Sequence, residues 1–328
     1  MSTGHFRRTR GGAARPEVGA DKRRLGLVAA ALAVVYVVWG STYLGIALAI
    51  RTMPPLLMGS LRFLLAGAIL YAWSRRSPTY ERPTRRHWRS AAVIGFLLLL
   101  IGNGGVIVGE KTVATGISAL FIAAVPLWLA LFDRVVFGRR LTAVGTAGLA
   151  LGFAGVALLV GMPGGALDVA GVIALLVAPM GWASGSLYAR GASLPRNGSQ
   201  GAAMEMICGG VMFGIAGLAT GEAGRVHPAA ISLESVLAVA YLVVFGSLIA
   251  FSAYVWLLRA APTPLVGTYA FVNPVVAVAL GAGFLGEPVG LRTLAAGAVV
   301  VAAVALIVVG GSRRVERRIR AALPARAR

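Results

Sequence analysis

Apolar residues fall in blocks of about twenty, separated by short segments rich in Gly, Pro and Arg. A helix needs about 20 apolar residues to cross the ~30 Å hydrocarbon core of a bilayer, and these blocks have that length. The pattern predicts ten helices, at approximately 25–50, 55–73, 90–109, 113–133, 141–160, 169–188, 201–220, 232–258, 262–284 and 290–311. Connections such as Gly161 to Asp168 (GMPGGALD) are turn punctuation, and none is long enough for a soluble domain. The predicted class is all-α: a polytopic membrane protein. The first block follows a twin-arginine-like FRRTR (Phe6 to Arg10) but is too long for a signal region, so it reads as a retained helix.

Two of the blocks resemble each other in order. GISALFIAAVP (Gly116 to Pro126) aligns with PLVGTYAFVNP (Pro264 to Pro274) at an offset of 148, which pairs Pro126 with Pro274 and Lys111 with Arg259. It also pairs Phe137-Gly138 with Leu285-Gly286, while WGSTYL (Trp39 to Leu44) matches WASGSL (Trp182 to Leu187) at 143. These pairs predict two five-helix repeats, 25–161 and 169–311, between basic tails 1–24 and 312–328. Five helices is an odd number, so the second repeat is inverted, as in transporters whose substrate lies near the midplane between repeats.

Composition agrees. The 328-residue chain is 58% hydrophobic and 13% charged, with mean hydropathy +0.82. Its net charge of +20 invites a nucleic-acid reading, which fails once the basic residues are placed. With a cytoplasmic N-terminus, 26 Lys and Arg lie in inside segments and four outside, with Arg62 within a span. That bias puts both ends in the cytoplasm. The one cysteine, Cys208, sits in an apolar block as a packing residue.

Individual residues carry competing readings. Asn273-Pro274 breaks the ninth span near mid-depth; proline frees the Ala270 carbonyl, and the amide either bonds a neighbouring helix or faces a wet cavity. Asn273→Leu is expected to leave folding largely intact and impair transport. Pro126 makes the matching break in the first repeat. Arg62 either pairs with a carbonyl or an acid such as Glu110, holds an anionic group, or snorkels outward. Glu205 is a solvated end residue or a proton-coupling site, and Glu110-Lys111 is a polar turn or an outer gate with Arg259 as its inner counterpart. Trp39 and Trp182 lie too deep for interfacial anchors and read as cavity walls or tight packing. Tyr43, Asn103, Ser118, Trp128 and Tyr269 are further wall candidates. Glycine-rich stretches such as Thr146 to Gly155 and Gly209 to Gly217 read as helix-packing faces.

The order VVWGSTYLGI, PPLLMGSLRFLLAG, KTVATGISALFIAAVPLWLALF, GWASGSLYAR and APTPLVGTYAFVNPVVAVALGAGFLGEPVG resembles the EamA-type transporters of the drug/metabolite transporter superfamily. The resemblance covers the chain after Lys22 and implies ten helices, a central cavity and export of small metabolites or drugs. One departure is Arg139 to Leu141 (RRL) where the second repeat has Glu287 to Val289 (EPV). An importer or facilitative channel on the same fold remains a rival. A membrane-embedded enzyme is a weaker one, because His5, His87 and His227 are scattered and no acid cluster exists. Partners are then a small-molecule substrate and the bilayer, with proton coupling a possibility at Glu205; no cofactor, metal or nucleic acid is expected. Oligomeric state is unreadable.

Overall fold

A computed structural model describes residues 18–138, 143–160, 168–261, 263–266 and 268–322. The ends of the basic tails, Arg139 to Leu141 and most of the Gly161 to Asp168 turn lie outside the described residues. Among those described, every regular element is helical and none is a strand. The helices are α1 (Val18–Ala49), α2 (Pro55–Ser74), α3 (Arg85–Gly109), α4 (Thr115–Ile122), α5 (Val125–Phe137), α6 (Ala143–Val160), α7 (Val169–Ala189), α8 (Gly198–Ala219), α9 (233–260), α10 (Thr263–Val266), α11 (Tyr269–Leu285) and α12 (Leu291–Ala322). Among the described residues seven spans are long and apolar enough to cross a membrane, and three shorter apolar helices lie at Ala143–Leu158, Val272–Leu285 and Leu291–Leu306.

Local chemistry explains several boundaries. Pro55 opens α2, where a missing N–H costs nothing. Pro126 likewise sits in the first turn of α5, after a two-residue interruption at Ala123 and Ala124. Pro274, by contrast, lies inside the continuous helix α11, and the interruption of that span falls earlier, before Tyr269. Gly138 and Gly286 close α5 and α11 in the left-handed conformation, with φ of 62° and 66°. Each donates its N–H to a carbonyl five residues back, on Asp133 and Gly281.

Two helices depart from regular α geometry in mid-span. Gly95–Asn103 of α3 and Leu242–Ile249 of α9 are π-helical, stretches of a type often found at functional sites.

The packing pairs helices distant in sequence. α2 lies along α8, α6 along α12, α1 against α9 and α11, and α7 against α3 and α5. Glycines permit the closest approaches: a Cβ on Gly67 would stand 3.0 Å from the Ile207 nitrogen and 3.1 Å from the Ala203 oxygen. The central core gathers Tyr43, Phe63, Ile107, Phe213 and Leu242. Outward faces carry exposed Leu25, Trp73, Ile215 and Phe284, an apolar surface suited to hydrocarbon rather than water.

Candidate functional site

Trp39 of α1 reaches across to α9, where its indole nitrogen donates to the Gly246 carbonyl at 3.3 Å. Gly246 belongs to the π-helical stretch, so the polar indole edge meets backbone that departs from the regular i→i−4 ladder. The Trp39 ring packs against Tyr254 (5.0 Å between centroids) and edge-on to Tyr269 (5.2 Å), and those two tyrosines meet edge-on at 5.9 Å. An aromatic triad thus joins α1, α9 and α11. Tyr36, one turn earlier on α1, hydrogen-bonds the Thr268 hydroxyl.

Trp182 of α7 stands in the corresponding relation to α3. A Cβ on Gly102, within the other π-helical stretch, would come 3.1 Å from the Trp182 ring. Next to it, Asn103 donates its side-chain amide to the Leu98 carbonyl at 3.3 Å, five residues back along the same stretch.

Asn273 is buried between α11 and α1. With its amide oriented so that nitrogen donates, it bonds the Tyr269 and Tyr36 carbonyls, each at 3.2 Å. The second bond ties α11 to α1 beside the triad. Ser118 of α4 is completely buried, and its hydroxyl has no partner among the described residues.

The charged residues gather toward the end of α3. Arg62 is only 5% exposed; its Nε donates to the Ser247 hydroxyl at 3.2 Å, its guanidinium carbon stands 4.8 Å from the Phe63 ring centre, and its Nη1 has no partner. Glu110, directly after α3, is 8% exposed, and both carboxyl oxygens are buried without a hydrogen-bond partner. Burial and the nearby Glu287 push its carboxyl well above the usual carboxylate range, while Arg62 pulls the other way. Glu287 is itself engaged: it accepts from the Thr115 nitrogen (2.7 Å), the Thr115 hydroxyl (3.0 Å) and the Gly116 nitrogen (3.3 Å), capping α4. Glu222 caps α2 in the same manner, accepting from the nitrogens of Leu56 (2.9 Å) and Leu57 (3.0 Å).

The structure therefore brings Trp39, Tyr269 and Asn273 together, and sets Arg62 and Glu110 near one another and near Tyr43. Other candidates lie apart. Trp128 packs on Phe132 and Phe153 in a separate core of α5 and α6. The Glu205 backbone lies against Gly95 of α3, and Lys111 lines a cleft of about 200 Å³ with Leu56, Val108, Thr220, Glu222 and Arg225. Arg259 belongs to α9, but its side chain lies outside the described residues. Sequence reasoning did not single out Tyr254, Ser247 or Glu222. A tyrosine or serine within a span has many bland explanations, and the helix that Glu222 caps lies 165 residues away. No group of three metal-ligating side chains occurs among the described residues.

Comparison with known proteins adds the family. Residues 24–161 and 169–309 each match the EamA-like transporter family. The chain is 41% identical over 283 residues to an uncharacterized inner membrane transporter, YedA, of Escherichia coli K12, covering 85% of this chain and 90% of that protein. It is 26% identical over 274 residues to a probable amino-acid metabolite efflux pump of the same strain, covering 80% and 88%. A solved crystal structure aligns at a TM-score of 0.59 with 20% identity, over 87% of this chain and 97% of that one, a likeness of fold alone.

Proposed function

The chain belongs to the EamA-like transporter family, a family of transporters rather than enzymes, and from that premise we propose that it exports small metabolites across the cytoplasmic membrane by alternating access between two inverted five-helix repeats. The repeats are 25–161 and 169–311, flanked by cytoplasmic basic tails 1–24 and 312–328. The matched tryptophans carry this reading. Trp39 of the first repeat bonds the π-helical stretch of the second, and Trp182 of the second packs on the π-helical stretch of the first. The left-handed caps at Gly138 and Gly286, 148 residues apart, support the same relation. So does the pairing of α2 with α8 and of α6 with α12, each helix meeting its own counterpart.

In this scheme the substrate lies among Trp39, Tyr43, Tyr254, Tyr269 and their counterparts near Asn103 and Trp182. Aromatic faces and amides suit a small amphiphilic or zwitterionic solute. The similarity to a protein described as a probable amino-acid metabolite efflux pump supports outward transport of such compounds, and similarity to an inner membrane transporter supports that location. Rocking of the repeats opens the cavity alternately, with Glu110-Lys111 near its outer end and Arg259 near its inner end. The 26-to-4 distribution of basic residues supports both termini being cytoplasmic.

The test compares metabolites in the medium of cells overproducing the protein, a Trp39→Ala variant, or neither. Export predicts a compound enriched outside with the intact protein alone. Enrichment inside the cells would replace export by import, and no change with the protein verified in the membrane would count against both.

A further inference from the structure

Glu110 is the most awkwardly placed acid among the described residues. Both oxygens are buried and lack a donor, and the Nη1 of the neighbouring Arg62 is equally buried and lacks an acceptor. No ion pair within 4 Å joins the two, although they lie close enough to influence each other's charge. An ionised carboxylate held away from water with no hydrogen bond is a costly species, whereas the neutral acid is not. The arrangement is therefore that of a protonated Glu110, with Arg62 held on Ser247.

We propose that Glu110 is a proton-binding site of this transporter, loaded when buried as seen here and emptied when the outer end opens to water. This rests on the transporter reading above. The step balances simply: the carboxyl O–H breaks, the proton passes to water at the outer face, and the carboxylate left behind gains the Arg62 Nη1 as its partner. The cleft lined by Val108, Lys111, Glu222 and Arg225 comes within one residue of Glu110 and offers the proton its exit.

The surrounding charges define how the site is tuned. Arg62 faces it from α2, Tyr43 from α1, and Glu287 from the segment before α12. Lys111 follows it in sequence and is exposed. The cap of α7, Asp168, is exposed, and α4 carries no titratable side chain. Across the cleft stand Glu222, committed to α2, and Arg225, while Glu234 of α9 pairs with Arg51 at 3.2 Å. The only positive group buried beside Glu110 is thus Arg62, among the described residues. The second acid nearby, Glu287, is fixed by three hydrogen bonds to α4. Releasing the Glu110 proton puts a second negative charge near the one that caps α4. Proton release therefore opposes the contact that Glu287 makes between the two halves of the chain.

Infrared titration of the purified full-length protein in lipid, in H₂O and D₂O, tests this without knowledge of the substrate. The expected result is a protonated-carboxyl carbonyl band that titrates, is absent in Glu110→Gln, and persists in Glu205→Gln. Arg62→Gln should raise its midpoint and Glu287→Gln should lower it, each by about one pH unit. These two variants keep Glu110, so they decide the matter if Glu110→Gln fails to fold. A band unchanged in Glu110→Gln, lost in Glu205→Gln, or indifferent to both neighbouring substitutions would overturn the proposal. A titrating Glu110 in a protein that exports nothing would leave the site standing and remove the export reading. Export with unaltered pH dependence in Glu110→Gln would do the reverse.

Discussion

At Gly40 α1 packs tightly on α11, and an added methyl group there gives a stringent test of how firmly the helices are locked. A Cβ on Gly40 would stand 2.6 Å from the Val276 Cβ, 2.8 Å from its Cγ1 and 3.2 Å from the Asn273 carbonyl oxygen. Carbon atoms pack best at ~3.5–4.0 Å, so the helices must part by about 1 Å. The obstacle is a Cβ fixed to the backbone, so no rotamer change relieves it. Overpacking of this kind costs about 1–3 kcal/mol. Parting also stretches the 3.2 Å bond from Asn273 to the Tyr36 carbonyl past its useful range, which adds about 0.6 kcal/mol, the mean for such bonds in membranes. Gly40→Ala is therefore expected to destabilise by about 2–3 kcal/mol. Thermal unfolding of the detergent-solubilised protein, followed by loss of the monodisperse peak, measures this as a fall of roughly 3–4 °C for a chain of this length. Gly283 on α11 has nothing within 4 Å of its notional Cβ, so Gly283→Ala is the control and should leave the melting temperature level or raised. The pair Gly40→Ala with Val276→Gly should recover most of the loss. If Gly40→Ala melts with the Gly283→Ala control, the close contact of α1 and α11 described here is wrong.

Other substitutions probe separate features. Glu222→Ala leaves the Leu56 and Leu57 nitrogens without their acceptor and should cost about 1–2 kcal/mol in the same melt, with Glu222→Gln recovering part of it. Trp39→Phe keeps an aromatic ring but removes the donor to Gly246; stability should fall by about 0.6 kcal/mol while the export rate falls about threefold or more, read from accumulation in the medium. Ser118→Ala removes a buried hydroxyl that has no partner, so the melting temperature should hold or rise; a drop would mean the hydroxyl is bonded in the folded protein.

The membrane-crossing segments were legible because hydropathy integrates over twenty residues, and a few polar intrusions do not hide it. The π-helical stretches were not. Gly95–Asn103 and Leu242–Ile249 are as apolar as any regular helix, and no residue type marks the change of hydrogen-bond register. Trp39 was singled out for its depth and Tyr269 as a further wall candidate, and their rings meet. Trp128, another wall candidate, packs elsewhere, because a residue's place within a span says nothing about which way the helix is turned. The Asn273 amide was left between a neighbouring helix and a wet cavity; its bonds to Tyr36 and Tyr269 mean that Asn273→Leu should also cost about 1 kcal/mol of stability. The caps by Glu222 and Glu287 join positions more than 160 residues apart, beyond any local pattern.

The two π-helical stretches have a mechanical consequence. Each holds slack within an otherwise continuous rod, comparable to a dislocation in a crystal row. Such a defect can migrate by exchanging hydrogen bonds one at a time, without melting the helix that contains it. Migration by a single residue turns the intervening backbone by about 100° and slides it ~1.5 Å. In α3 the defect lies between the first turns, which begin at Arg85, and the end that carries Glu110; in α9 it lies under Trp39. Both rods can thus twist internally while their ends stay packed, so the gliding of a fault can take the place of a hinge.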